Sequence, residues 1–259
     1  MQVDELGDTV VAIALTLPRI VAAFLVLPLL TRQVVPALVR NSLFVSLALV
    51  AFPITMAQDA GAFAVAAWPV LLLKEVFLGA SLGFLFGSVF WAISLAGGII
   101  DTQAGSNLAN VMDPVQGHQT SLSGQWMSRL ASVLFMVTGA FLVFLDLLMS
   151  SYALWPVQEM RPELAPDGAL LFIGEFGYIM TTGLLIAAPA MMVLAMSDLV
   201  FGLVNRYAQQ INILQFSLAV KHWLATWVLI LVLGTIVEIL LRKLFENRQL
   251  LERLDAVFR

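Results

Sequence analysis

Residues 74–100 read KEVFLGASLGFLFGSVFWAISLAGGII, and only the first two side chains of this stretch are charged. As a helix it can cross a bilayer, because about 20 apolar residues span the hydrocarbon core. The rest of the chain has the same character: of 259 residues, 61% are hydrophobic and 12% are charged, whereas soluble domains carry about 25% charged residues. The composition predicts an integral membrane protein with no room for a soluble catalytic domain.

Six apolar segments are predicted to be helical, because backbone polar groups in hydrocarbon must be satisfied within the segment. The predicted fold class is therefore an all-α membrane protein. The segments fit a bilayer poorly, since one gives only about 24 Å of helix and another is long enough for one and a half crossings. In chain order the segments are 9–31, 42–57, 60–100, 129–157, 169–196 and 222–241.

The two ends of the chain make different demands on topology. Residues 1–8, MQVDELGD, are acidic and lack the positive region of a secretory signal, so we expect the first apolar segment to be retained. The tail 242–259 is basic and favours the cytoplasm, whereas the acidic start does not. An odd number of crossings satisfies both ends. Six simple spans do not, so either one segment is re-entrant or the chain is not a conventional bundle.

Several kinds of site have no support in the sequence. There are no cysteines, which excludes disulfides and thiolate chemistry, and the two histidines, His118 and His222, are far apart. We therefore expect no cofactor and no metal. The net charge of −4 arises from few charged residues and gives no reason to expect nucleic-acid binding.

Three glycines recur at a four-residue spacing, at Gly79, Gly83 and Gly87. On a helix this spacing forms a stripe without side chains, against which another backbone can pack closely. Helix packing is the favoured interpretation, and a ligand groove is the alternative. The spacing does not distinguish a neighbour in the same chain from one in another chain.

Charged residues within apolar segments are expensive in lipid unless they are paired or face water. We expect several of them to form structural ion pairs or to lie at interfaces, since they are too scattered in sequence to define a proton relay. A stand-alone small-molecule transporter or channel, with Arg19, Asp146 and Glu175 lining a path, is the alternative function. The residues in question are Arg19, Lys74, Glu75, Asp146, Glu175 and Glu238.

The stretch 97–125 is polar, rich in Gly, Ser, Asn and Gln, and nearly uncharged. Such a segment can line a water-filled pore, because irregular backbone at membrane depth must lie in protein or against a cavity. An ordinary surface connection with a turn at Asp113-Pro114 is the alternative. Ser121 and Ser123 near His118 give only weak support for a hydrolase.

The stretch 197–221 mixes amide side chains and isolated charges with apolar residues. This pattern favours a half-buried connection between two helices that packs on protein. An interfacial loop is the alternative, and composition does not separate the two.

Two motifs give the chain a resemblance to a known family. GIIDTQAG at 98–105, followed by Asp113-Pro114, and GLVNRYAQQIN at 202–212, leading to Lys221, resemble the FliR/SctT family of type III secretion export apparatus components. The likeness extends from about residue 15 to 240. The second motif is more similar to the injectisome branch than to the flagellar branch.

The resemblance implies a structural and gating subunit of an export gate rather than an enzyme. It implies packing with FliP/SctR-type, FliQ/SctS-type and FlhB/SctU-type membrane subunits in a helical assembly that exports unfolded proteins. Residues 1–157 are then a FliP/SctR-like part and 158–241 a FliQ/SctS-like hairpin, followed by the basic tail 242–259. The implied location is the bacterial inner membrane, with the assembly projecting toward the periplasm.

The resemblance also assigns roles to residues. A pore loop at 101–128 is expected to plug the closed channel, and a second set is expected to form an inter-helix loop that contacts partners. The plug residues are Gln103, Gly105, Ser106, Asn107, Asn110, Met112, Asp113, Pro114, Gln116 and Gly117. The inter-helix loop residues are Asp198, Asn205, Arg206, Gln210, Asn212 and Lys221.

Overall fold

A computed structural model of the protein describes residues 2–30, 35–56, 68–106, 121–157, 168–207 and 213–246. The described residues form seven α-helices and no strand, which confirms the predicted all-α class. The helices are α1 (Gln2–Val26), α2 (Ala37–Met56), α3 (Trp68–Ala104), α4 (Leu122–Val137), α5 (Ala140–Leu154), α6 (Gly168–Tyr207) and α7 (Ile213–Glu246).

The predicted segment 129–157 is two helices rather than one. Helices α4 and α5 meet at an angle of 74°, and Gly139 between them has a φ of +75°. Only glycine adopts this left-handed conformation without a steric cost, so the helix ends there. Apolar residues flank Thr138-Gly139 on both sides, and this glycine is a local sequence signal for the break.

The candidate membrane spans among the described residues number four, at 37–55, 68–104, 168–207 and 213–243, or five if the bent pair α4–α5 counts as one. Helix α1 has only a shorter apolar stretch, Ile13–Val26. A count of five would give the odd number of crossings that the two ends of the chain favour, and a count of four would not.

Helix α3 differs from the other candidate spans in its burial. Of its most apolar window, 72% is buried, compared with 17% for α2, 28% for α6 and 22% for α7. The segment that opens the sequence analysis therefore lies in the most buried of these candidate spans.

The chain divides into two compact units. Unit 1 comprises residues 1–87, 139–173 and 244–259. Its core includes a chain of aromatic contacts: Phe144 packs on Phe24 at 5.3 Å and on Phe86 at 5.2 Å between ring centroids. These contacts join α1, α3 and α5, which are far apart in sequence.

Unit 2 comprises residues 88–138 and 174–243, and so takes the remainder of α3 together with α4, most of α6 and α7. Phe90 of α3 packs on Phe135 of α4 with ring centroids 5.4 Å apart. Each unit draws on several separate stretches of chain.

Candidate functional site

Arg19 of α1 and Glu75 of α3 form a fully buried ion pair in unit 1. The guanidinium donates from Nε to Glu75 Oε2 at 2.6 Å and from Nη2 to Oε1 at 2.9 Å, and neither side chain is exposed. This two-point geometry matches the planar fork of arginine to the carboxylate. Arg19 also donates to Ser151 Oγ at 3.1 Å and to the carbonyl of Trp155 at 2.9 Å.

Lys74 extends the pair into a buried charge cluster, defined as Arg19, Lys74 and Glu75. Its Nζ lies 3.0 Å from Glu75 Oε1 and donates to the carbonyls of Pro156 and Val157 at 2.7 and 3.0 Å. These carbonyls follow the C-terminal end of α5, where a helix carries negative partial charge. The two cations of the cluster, Arg19 and Lys74, thus share the Glu75 carboxylate and also bind carbonyls at the end of α5.

Close backbone packing brings α1 and α3 together beside this cluster. A methyl group added at Gly79 would overlap the backbone carbonyl of Arg19, and one added at Gly83 would overlap the carbonyl of Ala23. Gly87, the third member of the stripe, is buried. The glycine stripe therefore faces α1 of the same chain at its first two positions.

Asp101, in the last turn of α3, binds the start of α4 in unit 2. Its Oδ2 accepts from Ser121 Oγ at 2.7 Å and from the Ser123 backbone N–H at 2.9 Å, and its Oδ1 accepts from Ser123 Oγ at 2.5 Å. Ser121 is the N-cap of α4, since its Oγ accepts from the Gly124 N–H at 2.8 Å. We call Asp101, Ser121 and Ser123 the α3–α4 clamp.

A close approach of two glycines supports the clamp. A methyl group at Gly97 would overlap the backbone of Gly124. Gly97 precedes Asp101 by one helical turn and lies on the same side of α3. The first turn of α4 consequently rests against α3, with the two serines within reach of the carboxylate.

A second set of contacts in unit 2 links the same end of α3 to α6 and α7. Lys221 of α7 forms an ion pair with Asp198 of α6 and makes a long contact, 3.4 Å, with the carbonyl of Gln103. Ser106 Oγ lies 3.4 Å from His222 Nε2. Polar side chains from four helices therefore gather where α3 ends and α4 begins.

A further ion pair joins α6 and α7. Lys243 Nζ donates to Glu175 Oε1 at 2.8 Å and lies 4.2 Å from the ring centroid of Tyr178. Lys243 was assigned to a basic tail, but α7 continues to Glu246 and the lysine is buried. The remainder of that tail, residues 247–259, lies outside the described residues.

The structure describes only part of the predicted plug. Gln103 is in the last turn of α3, and Gly105, with a φ of +92°, follows its end together with Ser106. Residues 101–104 and 122–128 are helical, so the non-helical part of the predicted pore loop is shorter than 101–128. Outside the described residues lie Asn107, Asn110, Met112, Asp113, Pro114, Gln116, Gly117 and His118.

The predicted inter-helix loop is largely helical. Asp198, Asn205 and Arg206 lie in α6, and Lys221 lies in the third turn of α7, whereas Gln210 and Asn212 lie outside the described residues. Placing the first four in a loop was wrong, because amide and charged side chains at these spacings do not break a helix whose intervening residues are apolar.

Among the described residues, the charged side chains do not line a common path of the kind that the transporter alternative requires. Arg19 is enclosed by its partners, and Asp146 on α5 and Glu238 on α7 are exposed. The sequence places Asp101, Ser121 and Ser123 in the predicted pore loop 101–128 and names the two serines as weak nucleophile candidates, but it does not predict the contact between them. The signal that could have found the clamp is a serine before Leu122, since serine is a preferred N-cap.

In the described part of the chain, no group of three His, Asp or Glu residues could hold a metal ion.

Comparison with known proteins covers nearly the whole chain. The family described as "Bacterial export proteins, family 1" matches residues 10–247. The chain is 31% identical to "Yop proteins translocation protein T" of Yersinia pestis, covering 89% of each chain. It is 32% identical to "Surface presentation of antigens protein SpaR" of Salmonella typhimurium, covering 88% of this chain and 84% of SpaR.

A flagellar relative shows lower identity over a similar extent. The chain is 27% identical to "Flagellar biosynthetic protein FliR" of Bacillus subtilis, covering 93% of each chain. The family match and the two relatives above 30% identity agree with the two polar motifs. The chain therefore belongs to family 1 of the bacterial export proteins, the FliR/SctT family.

Proposed function

We propose that this chain is a structural and gating subunit of a type III secretion export gate. It forms part of the pore through which unfolded proteins leave the cytoplasm, and its loop closes the resting channel. The relatives support an export function, since their names refer to translocation and to flagellar biosynthesis. Higher identity to Yop translocation protein T and SpaR than to FliR favours an injectisome over a flagellum.

The observation that carries this proposal is the apolar surface that the fold leaves uncovered. Helices α2, α6 and α7 each bury less than a third of their most apolar window. On α7, Trp223 is 70% exposed and Leu231 75% exposed. A surface of this kind needs lipid or apolar protein around it. Neighbouring subunits of an export gate meet that need.

The plug is proposed from composition and family resemblance. Small and amide side chains can close a channel by packing and hydrogen bonding without placing strong charges in the path of a polypeptide. Glycines let such a segment adopt other conformations at low cost. The ten plug residues named from the sequence are part of this proposal.

The partners and orientation are also proposed. FliP/SctR-type, FliQ/SctS-type and FlhB/SctU-type subunits pack against the apolar faces, with 1–157 in the role of the first type and 158–241 in that of the second. Asn205, Arg206 and Lys221 contact partners from the helices in which they lie. The chain is a multi-pass inner-membrane protein, and the assembly projects toward the periplasm.

A non-enzymatic role agrees with the way the two loop serines are used. Ser121 Oγ donates to Asp101 and accepts from the Gly124 N–H, and Ser123 Oγ donates to the same carboxylate. Both hydroxyl protons are therefore directed at an acid that caps a helix.

Two measurements test the proposal. Purification in mild detergent should yield the chain with several small helical membrane subunits, and deletion of 106–121 should raise the ion conductance of the assembled closed complex. A matched deletion in the tail, 247–259, should leave conductance at the wild-type level. A monomer that reconstitutes solute flux by itself, or an unchanged conductance after the loop deletion with assembly intact, contradicts the proposal.

A further inference from the structure

We infer that Asp101 is a positioning residue of the gate, which holds the closed state by fixing the first turn of α4 to the end of α3. The inference deepens the proposed gating function and depends on it. It rests on the contacts of Asp101, Ser121 and Ser123, which lie near the two ends of the predicted pore loop 101–128.

The first step is the number of bonds made by one carboxylate. Asp101 accepts three hydrogen bonds from two serines that are 20 and 22 residues further along the chain. Hydrogen bonds to a charged acceptor are roughly twice as strong as those between neutral groups. A single side chain thus holds the end of α3 to the start of α4.

The second step is the electrostatic setting. The start of a helix carries unpaired N–H groups and partial positive charge, and a carboxylate beside it is stabilising. Asp101 reaches the first turn of α4 from another helix, and Ser121 relays the contact by accepting from Gly124 N–H. The cap therefore depends on α3 and α4 staying together.

The third step is that the clamp can open. Asp101, Ser121 and Ser123 are each partly exposed, so water can replace the hydrogen bonds when the helices separate. The donors are neutral hydroxyl and amide groups, which leave no buried cation behind. A contact of this kind can hold one state and still be released, unlike a fully buried ion pair.

The experiment compares variants in the complete export complex, assembled with its partner subunits in vesicles, with ion flux as the measurement. Asp101→Ala should raise the flux of the resting complex about tenfold, the shift expected when a charged hydrogen-bonding group is removed from one state of a two-state element. Asp101→Asn should restore much of the barrier, because an amide can accept from one serine and donate to the other. Thr102→Ala is the matched control, since the Thr102 hydroxyl donates only to the Gly98 carbonyl of its own helix at 2.8 Å.

A second variant keeps the test decisive if Asp101→Ala does not assemble. The double change Ser121→Ala and Ser123→Ala removes the same side-chain bonds and leaves the carboxylate in place, and it should raise the flux to a similar extent. A triple variant that joins the two serine changes to Asp101→Asn should show little more flux than the double-serine variant, because all three changes act on one contact. Additive increases would overturn the inference.

The outcomes separate the two proposals. The 106–121 deletion removes Ser121 together with the loop, so a 107–120 deletion, which retains all three clamp residues, is compared as well. If the 107–120 deletion conducts ions but neither the Asp101→Ala complex nor the double-serine complex does, the clamp inference fails and the gating function stands. If neither deletion conducts ions, the gating function fails first. A rise in flux for Thr102→Ala equal to that for Asp101→Ala would also overturn the assignment to the carboxylate.

Discussion

The buried charge cluster and the α3–α4 clamp both use a carboxylate of helix α3 to hold other helices, but they do so in different surroundings. Glu75 has no exposed side-chain surface and meets two cations, Arg19 and Lys74. Asp101 is half-buried and meets two neutral serines. The first arrangement cannot lose a member without burying an unpaired charge, whereas the second can exchange its partners for water.

This difference separates a contact that defines the fold from one suited to a moving part. Removing one partner of a buried ion pair costs far more than removing a hydrogen bond at a partly hydrated site. A gate must have at least one contact of the second kind. The four stability predictions below test the contrast by weakening unit 1 and unit 2 separately.

The largest loss of stability is expected for Glu75→Ala. The change leaves the buried Arg19 and Lys74 without their carboxylate, and we expect the free energy of unfolding to fall by about 3–5 kcal/mol. Detergent-solubilised protein unfolded by denaturant and followed by tryptophan fluorescence measures this. Glu238→Ala, at an exposed position of α7, is the control and should unfold at the wild-type midpoint. Equal midpoints for both variants would show that the cluster does not stabilise the fold.

A smaller loss is expected for Gly79→Ala and Gly83→Ala. Each added methyl group would overlap a backbone carbonyl of α1, and relieving the overlap should cost roughly 1–3 kcal/mol. Gly98→Ala in the same helix is the matched control, because nothing lies within 4 Å of its Cβ position. Alanine there should be neutral or stabilising by about 1 kcal/mol. The unfolding temperatures of the three variants give the comparison. Equal unfolding temperatures for Gly79→Ala and Gly98→Ala would contradict the prediction.

Lys243→Ala should lower the stability of unit 2, by less than the glycine changes lower that of unit 1. It removes the hydrogen bond to Glu175 and the contact with the Tyr178 ring, and we expect a loss of about 1–2 kcal/mol. Limited proteolysis of the α6–α7 pair measures the effect as faster cleavage. Glu238→Ala, at an exposed position of the same helix, is the control and should be cleaved at the wild-type rate. Equal cleavage of the two variants would show that Lys243 does not hold α6 to α7.

The smallest effect is expected for Ser121→Ala alone. Loss of this N-cap should cost about 1 kcal/mol and should be confined to the first turn of α4. Amide hydrogen exchange is the measurement, and it should show weaker protection at Gly124 and no change in α3 near Glu75. A loss of protection throughout the described helices would mean that the clamp, like the buried charge cluster, stabilises the whole fold.

The sequence was sufficient for the all-α class and the family. The polar motifs at 98–105 and 202–212 carried the resemblance, and the glycines at four-residue spacing indicated a tight helix contact, which α1 makes at Gly79 and Gly83. These features depend on composition and on short-range periodicity, which are local properties of the chain.

The contacts of the charged residues could not be predicted in the same way. Arg19 and Glu75 are 56 residues apart, and Arg19 and Ser151 are 132 apart. No local spacing relates them, so only the tertiary fold brings them together. The loop prediction for 197–207 fails for another reason: amide side chains are typical of loops, but the apolar residues between them sustain a helix here.

The pairing of Arg19 with a residue so far along the chain has a consequence for biosynthesis. At a synthesis rate of roughly 5–20 residues per second, the 56 residues between Arg19 and Glu75 take about 3–11 s to make. Helix α1 therefore emerges from the ribosome with a cation whose counter-ion does not yet exist. We expect stable membrane insertion of α1 to follow the synthesis of α3, because only then can the buried cation pair with its carboxylate.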